Sequence, residues 1–292
     1  MHAGIQGVIL GVLTGGVYAL MASGQTLIFG IMKVVNLAQG AMVILGAYLA
    51  YQLFTSFGID PFLAIPFTTV LMFGLGVLVQ VLFLRPLRHQ DRSELSLLVT
   101  FAVALLIEGV LSVTWKTTYR SINTGYANAS WTVLGYQITV VRLGAFGLSL
   151  VALGGLFLLL NRTRFGRAVR ATVQNPEAAR LLGVRADRVS ALGFGLGAAT
   201  AAAAGSVYGL LYPFNGGSHY DLISRLLSIV VLGGMGSVGG AVVAAVIVST
   251  SSAIVASTIS PAWSEMTFFV ILLLVLLLRP QGLFGTVGRG AI

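Results

Sequence analysis

Apolar runs long enough to cross a bilayer recur from one end of this chain to the other, and no ordinary soluble domain accommodates them. A hydrocarbon core needs about 20 apolar residues per helix. Runs of that order stand at 4–23, 62–84, 95–114, 143–160, 189–211, 238–257 and 264–278. Two further segments are interrupted. Residues 26–35 and 41–54 flank the break Asn36-Leu37-Ala38-Gln39-Gly40, and residues 226–232 end in Gly233-Gly234-Met235-Gly236-Ser237. Runs of this length read as helices, which satisfy their backbone polar groups internally. The expectation is an all-α polytopic membrane protein, a single transmembrane domain over 1–292. It should hold about eight or nine membrane-embedded helices, broken or half-length segments included.

Composition narrows the function classes. Hydrophobic residues make up 57% and charged residues 9% of the chain, which excludes an ordinary soluble domain. The net charge of +9 sits mostly in short loops, where it reports topology rather than nucleic-acid binding. The 37 glycines include Gly7, Gly11 and Gly15 at four-residue spacing, and Gly193, Gly197, Gly205 and Gly209 in a later run. Small residues are what let lipid-embedded helices approach closely. The absence of cysteine excludes disulfides and thiolate metal sites. His2, His89 and His219 are too scattered for a metal site, and no triad or paired-carboxylate pattern suggests an enzyme. The first apolar run has no basic region before it, so no cleavable signal is expected. No G-x-x-x-x-G-K-[ST] occurs, so energy from ATP would have to come through a partner. No cofactor is expected.

Orientation follows from the basic loops. Loop 85–94 carries Arg85, Arg88 and Arg92; loop 162–188 carries Arg162, Arg164, Arg167, Arg170, Arg180, Arg185 and Arg188. Two runs separate them, so they share a side, and the positive-inside rule makes it cytoplasmic. Segments 55–61, 115–142 and 212–224 then face outward, as does the N-terminus. Arg279 and Arg289 favour a cytoplasmic C-terminus, which requires 226–237 to cross. If 226–237 only dips and returns, the C-terminus lies outside.

The loop 161–188 contains a helix with punctuation at both ends. Asn175 is an N-cap, Pro176 suits the first helical position, and Glu177 puts negative charge at the helix N-terminus. Ala178, Ala179, Arg180, Leu181 and Leu182 are helix formers, and Gly183 supplies a left-handed C-cap. A short helix held outside the membrane between two spans is a handle for another protein.

The same residues carry a resemblance. Glu177-Ala178-Ala179 with Gly183 resembles the EAA loop of bacterial ABC importer permeases, and FGRAVRATVQNPEAARLLGV resembles the smaller permease subunit of the branched-chain amino-acid family. The Ile-x-Leu-Pro tail of the broader EAA consensus is absent. VVNLAQGAMVILGAY, VVLGGMGSVGGAVVAAVIV and RPQGLFG are similar to further stretches of that family. The resemblance implies a permease in a bacterial inner membrane, paired with a homologous second permease, two cytoplasmic ATPase subunits and a periplasmic binding protein. It implies that Asn175, Pro176, Glu177, Ala178, Ala179, Arg180 and Gly183 couple to the ATPase. The substrate would be a branched-chain amino acid. Urea or amide uptake by the same machinery is the near alternative, and an ion-coupled secondary transporter is the rival from another class.

Paired broken segments point to a transport pathway, so Asn36, Gln39, Gly40, Gly233, Gly234, Gly236 and Ser237 are expected to line it. Gly234 to Gly239 also matches G-x-G-x-x-G. Dinucleotide binding is rejected, because no strand precedes it and no acidic residue follows about 20 positions on. Glu108 is the acid deepest in a run. With no second acid or histidine inside a span, it reads as a protonated or hydrogen-bonded structural group rather than a proton relay.

Overall fold

A computed structural model describes residues 2–87, 92–127, 129–133 and 135–285. The protein is a multi-pass helical membrane protein, with eight described helices long and apolar enough to span. The helices are α1 (His2–Met32), α2 (Gln39–Phe57), α3 (Pro61–Val79), α4 (Arg92–Trp115), α5 (Val140–Arg162), α6 (Arg164–Gln174), α7 (Pro176–Leu181), α8 (Ala186–Leu211), α9 (His219–Gly233), α10 (Val238–Thr258) and α11 (Pro261–Leu278). Strands β1 (Ser130–Val133) and β2 (Tyr136–Thr139) form one antiparallel hairpin between α4 and α5. A π-helical turn, Gln80–Leu84, extends α3.

The core is a sheath of helices around α8, which is buried along most of its length. Small residues make this possible. Gly7 and Gly15 lie against α10 so closely that a Cβ would come within 2.6 Å of Ser257 Oγ and 3.0 Å of Val246 Cα. Gly11 sits between them against Thr250. The four-residue glycine spacing of α1 is therefore a seam for α10, as expected from the sequence. On α8, Gly193 and Gly197 receive Ile31 and Ile28 of α1, while Gly205 meets the backbone of Val43 in α2.

One boundary differs from the sequence reading. Residues 4–23 and 26–35 were expected as separate elements, but α1 runs unbroken to Met32. At 1.5 Å per residue it is roughly 45 Å long. Ser23, Gln25 and Thr26, at the junction of those two runs, are buried inside the bundle. Ser23 Oγ donates to Leu20 O at 2.7 Å, while Gln25 Oε1 and Thr26 Oγ1 are buried without a hydrogen-bond partner among the described residues, yet the helix does not break. The break proper begins at Lys33, which ends α1 with a positive φ of 56°.

The direction of α9 settles the side of the described C-terminal end. Helix α10 runs antiparallel to α1, with Ser257 beside Gly7 and Gly236 beside Gly30. The turn after α9 therefore lies near the end of α1, and α9 descends to it. Helix α11 descends again, and the following segment pairs with the end of α9: Leu283 N donates to Leu232 O at 2.8 Å and Phe284 N to Gly233 O at 3.3 Å. Gly236 and Gly166 line one groove, so this end shares a side with loop 162–188. Segment 226–237 thus acts as a crossing, although α9 has only 15 residues. Arg88, His89 and Arg289 lie outside the described residues.

The opposite end gathers the loops expected to face outward. Arg120 and Phe214 exchange backbone hydrogen bonds, each 2.8 Å. Gln6 Nε2 donates to Gln137 O at 2.7 Å, and Tyr126 OH donates to Asp60 Oδ2 at 2.6 Å. Burial, with that bond second, pushes the Tyr126 phenol up to about 12.

Candidate functional site

Loop 162–188 holds two helices, not one. Thr163 caps α6, its Oγ1 accepting from Gly166 N at 3.1 Å. The apolar face of α6 then anchors the loop: Val169 packs with Leu27 and Ile31 of α1, Leu156 of α5 and Val189 of α8. The signal was present in the sequence as Phe165, Val169 and Val173 at four-residue spacing behind a threonine cap. The density of arginines hid it.

The capped helix α7 forms where its punctuation requires. Asn175 Oδ1 accepts from Glu177 N and Ala178 N, both at 3.0 Å. At the other end, Gly183 N donates to Arg180 O and Val184 N to Ala179 O, each 3.0 Å. Those two bonds are a Schellman motif, and Gly183 takes the left-handed conformation it needs, at φ 83°. Ala179 faces inward at 2% exposure. Leu181 and Leu182 do the opposite, at 90% and 82%. Two fully presented leucines at the tip of a capped helix form an apolar knob with nothing among the described residues packed against it. The Arg180–Asp187 pair beside it, 3.7 Å and half exposed, contributes little to stability.

Helix α7 also abuts the first break. Asn175, Pro176, Glu177, Arg180 and Lys33 line one cavity of about 370 Å³. Beyond Lys33 the break is enclosed. Asn36 and Gln39 are 0% exposed. Asn36 Oδ1 accepts from Ala38 N at 3.1 Å, and Asn36 Nδ2 donates to Gln39 Oε1 at 3.3 Å. Gln39 Nε2 then reaches Gly197 O in α8 at 3.2 Å, while Gly40 packs on His219 O at the start of α9. Non-helical backbone at this depth is thereby satisfied by protein rather than lipid, as it must be.

The second break is open on one side. Gly234 and Gly236 turn the chain with φ of 93° and 95°, and Ser237 Oγ caps α10 by accepting from Gly240 N at 3.1 Å. Gly233 and Gly234 are buried; Met235 and Gly236 are exposed. Gly236, Gly30 and Val169 border a largely apolar groove of about 770 Å³ between α1, α5, α6 and α10.

The structure also assembles a cluster that the sequence reading kept apart. Tyr220 OH donates to Glu108 Oε2 at 2.9 Å, and His219 Nε2 stands 3.9 Å from the same oxygen. His219 Nδ1 faces Gly216 O at 2.8 Å. Glu108 is thus a hydrogen-bonded carboxyl with a histidine close by. More than a hundred residues of sequence separate them, and the 3-10 turn Gly216–Ser218 leading into α9 brings them together.

Residues 7–276 match the family described as branched-chain amino acid transport system / permease component. The chain belongs to that family. High-affinity branched-chain amino acid transport system permease protein BraD of Pseudomonas aeruginosa is 27% identical, over 96% of this chain and 95% of its own length. Its counterpart LivH of Escherichia coli is 28% identical, over 94% and 93%. A shorter likeness, 39% identical over 35% of this chain, is to autoinducer 2 import system permease protein LsrC of Klebsiella pneumoniae. No solved structure matches the chain. As a member of the branched-chain amino acid permease family, the protein is a transport permease rather than an enzyme, and its loop helix and breaks lie in the matched region.

Proposed function

We propose that this permease is the membrane subunit of an ATP-driven importer for branched-chain amino acids in a bacterial inner membrane. It works by alternating access with a homologous second permease, two ATPase subunits and an extracytoplasmic binding protein. The observation that carries the proposal is the Leu181–Leu182 knob on α7: a capped helix, anchored through α6, presenting apolar surface away from the membrane. An ion-coupled carrier has no use for such a handle. In this reading Asn175 to Gly183 receive the ATPase's closure. The cavity shared by α7 and Lys33 passes it to the break at 33–38, and Asn36, Gln39 and Gly40 move against α8 and α9. The second break, Gly233 to Ser237, forms the adjoining wall. The test is reconstitution with the ATPases and binding protein, measuring ATP-dependent uptake of leucine, isoleucine, valine and urea. Uptake of an aliphatic amino acid supports the reading; uptake driven by an ion gradient without ATP overturns it.

Two expected results follow from the site's geometry. The native chain has no cysteine, so single cysteines report cleanly. Ser237→Cys, beside the open turn, should react with a small water-soluble thiol reagent in the resting state. Asn36→Cys and Gln39→Cys should stay silent there and react once nucleotide is trapped on the ATPases. Silence at both in every state would remove the first break from the pathway.

Gly183→Val is the second. A β-branched residue resists the left-handed conformation by about 1–2 kcal/mol, enough to open the Schellman turn and displace the two leucines. Uptake should fall several-fold while membrane insertion is unchanged. Wild-type uptake in this variant would show that α7's geometry is not transmitted.

A further inference from the structure

We infer that a polar pocket at the end opposite the coupling loop holds the carboxylate of an α-amino acid. This inference rests on the importer reading and names where its substrate is first received by the permease. The pocket, about 430 Å³, lies between α1, α10 and α11, closed by the first turn of α5, the residue after α8, and α9. Its size falls within the roughly 300–1,000 Å³ of small-molecule sites.

Two guanidinium groups line it, Arg142 and Arg225, with hydroxyls of Tyr18, Tyr212, Ser249 and Ser252 around them. They are not equivalent. Arg225 is held in place: Nη1 donates to Tyr18 OH at 3.1 Å, Nη2 to Glu265 Oε1 at 2.8 Å, and its guanidinium lies 5.6 Å over the Phe268 ring. Arg142 has neither a hydrogen-bond nor an ion-pair partner among the described residues. The Ser249 hydroxyl, on a residue only 4% exposed, is likewise buried with no partner. An unpartnered guanidinium and an orphaned buried hydroxyl in one cavity describe the complement of an anion that accepts from both. With one carboxylate, Glu265, against two guanidiniums, the pocket keeps a net positive charge.

The remaining surface fits the rest of an aliphatic amino acid. Glu265 stands at the exposed rim, where it can meet an ammonium group. Leu10, Ala253 and Phe268 supply an apolar wall for a side chain. A guanidinium binds a carboxylate in a planar, bidentate fashion, which a urea or amide substrate does not offer. The pocket opens at the end where Asp60, Arg120 and the β-hairpin gather, the end a loaded binding protein would approach. The competing source of the same chemistry is the phosphate of an anionic lipid headgroup.

The experiment uses the assembled transporter in proteoliposomes carrying Ser252→Cys, labelled without nucleotide by a small membrane-impermeant thiol reagent. Leucine should slow labelling several-fold, and leucinamide, which lacks the carboxylate, should not. Adding Arg142→Gln should raise the half-protecting leucine concentration by about tenfold or more, the loss of the charge-assisted contact to the carboxylate, without changing labelling in its absence. Arg142→Lys should recover part of the protection. A silent thiol, equal protection by leucinamide, or full protection in Arg142→Gln overturns the site. Labelling that follows phosphatidylglycerol content and ignores leucine overturns it in favour of a lipid. ATP-driven uptake by the transporter without these substitutions is read in parallel. Protection without uptake would fault the importer reading and leave the site, whereas uptake without protection would do the reverse.

Discussion

Replacing Leu181 and Leu182 together with aspartate is expected to abolish ATP-driven uptake while leaving the permease folded. Both side chains point into solvent and take no part in the bonds that hold α7, so the substitution falls among surface changes of about ±0.5 kcal/mol. In a docked complex they would be buried. Each buried leucine is worth about 1.5–3 kcal/mol, so losing both weakens docking by roughly two to four orders of magnitude. The measurements are co-purification of the ATPases, uptake in proteoliposomes and elution of the permease on size exclusion. An aggregated variant would leave a folding defect as the cause, which Leu181→Ser and Leu182→Ser, uncharged and better tolerated in a helix end, would separate. Unimpaired uptake with normal co-purification would remove α7 from the coupling route.

The expectation about α7 was legible because its determinants are local. Asn175, Pro176, Glu177 and Gly183 each act on backbone groups within a few positions, and a short helix with both caps written in sequence has little freedom to differ. The apolar runs were legible for a similar reason: hydrocarbon imposes a length that sequence must meet. What the sequence did not carry was which polar residues the bundle would satisfy. Residues 4–23 and 26–35 read as separate elements, yet α1 passes unbroken through Gly24, which α8 and α2 cover. Asn36 and Gln39 read as pathway groups because they lie in one of two paired broken segments, and the structure finds carbonyls of Met21 and Gly197 for Gln39. The cluster of Glu108, His219 and Tyr220 needs α4 and α9 brought to one depth, and the pocket of Arg142 and Arg225 needs several helices brought together. No periodicity records that. The fold was therefore readable element by element, whereas the sites that depend on packing between distant helices were not.

That packing rests on backbone contact between α2 and α8, and its loss is the second large effect expected. Gly205 lies against the Val43 carbonyl, with Ala47 N 3.1 Å from where a Cβ would stand; Gly46 answers from α2, its Cβ position 2.6 Å from Ala202 Cα. Gly205→Leu has no flexible side chain to push aside, so the two backbones must part. Overpacking in an ordinary core costs about 1–3 kcal/mol, and here the parting also strains the Gln39–Gly197 bond and uncovers the break at 33–38. Lipid offers no hydrophobic force to drive the helices back together, since tails are as apolar as leucine. Gly74→Leu is the matched control. Gly74 is on the exposed face of α3 with nothing within 4 Å of its Cβ position, and removing a mid-helix glycine there should gain up to about 1 kcal/mol in helix propensity. Size exclusion and thermal unfolding in detergent should therefore show Gly205→Leu aggregated or strongly destabilised, and Gly74→Leu at or above the native midpoint. If the two behaved alike, the α2–α8 seam would not be what holds the enclosed break in place.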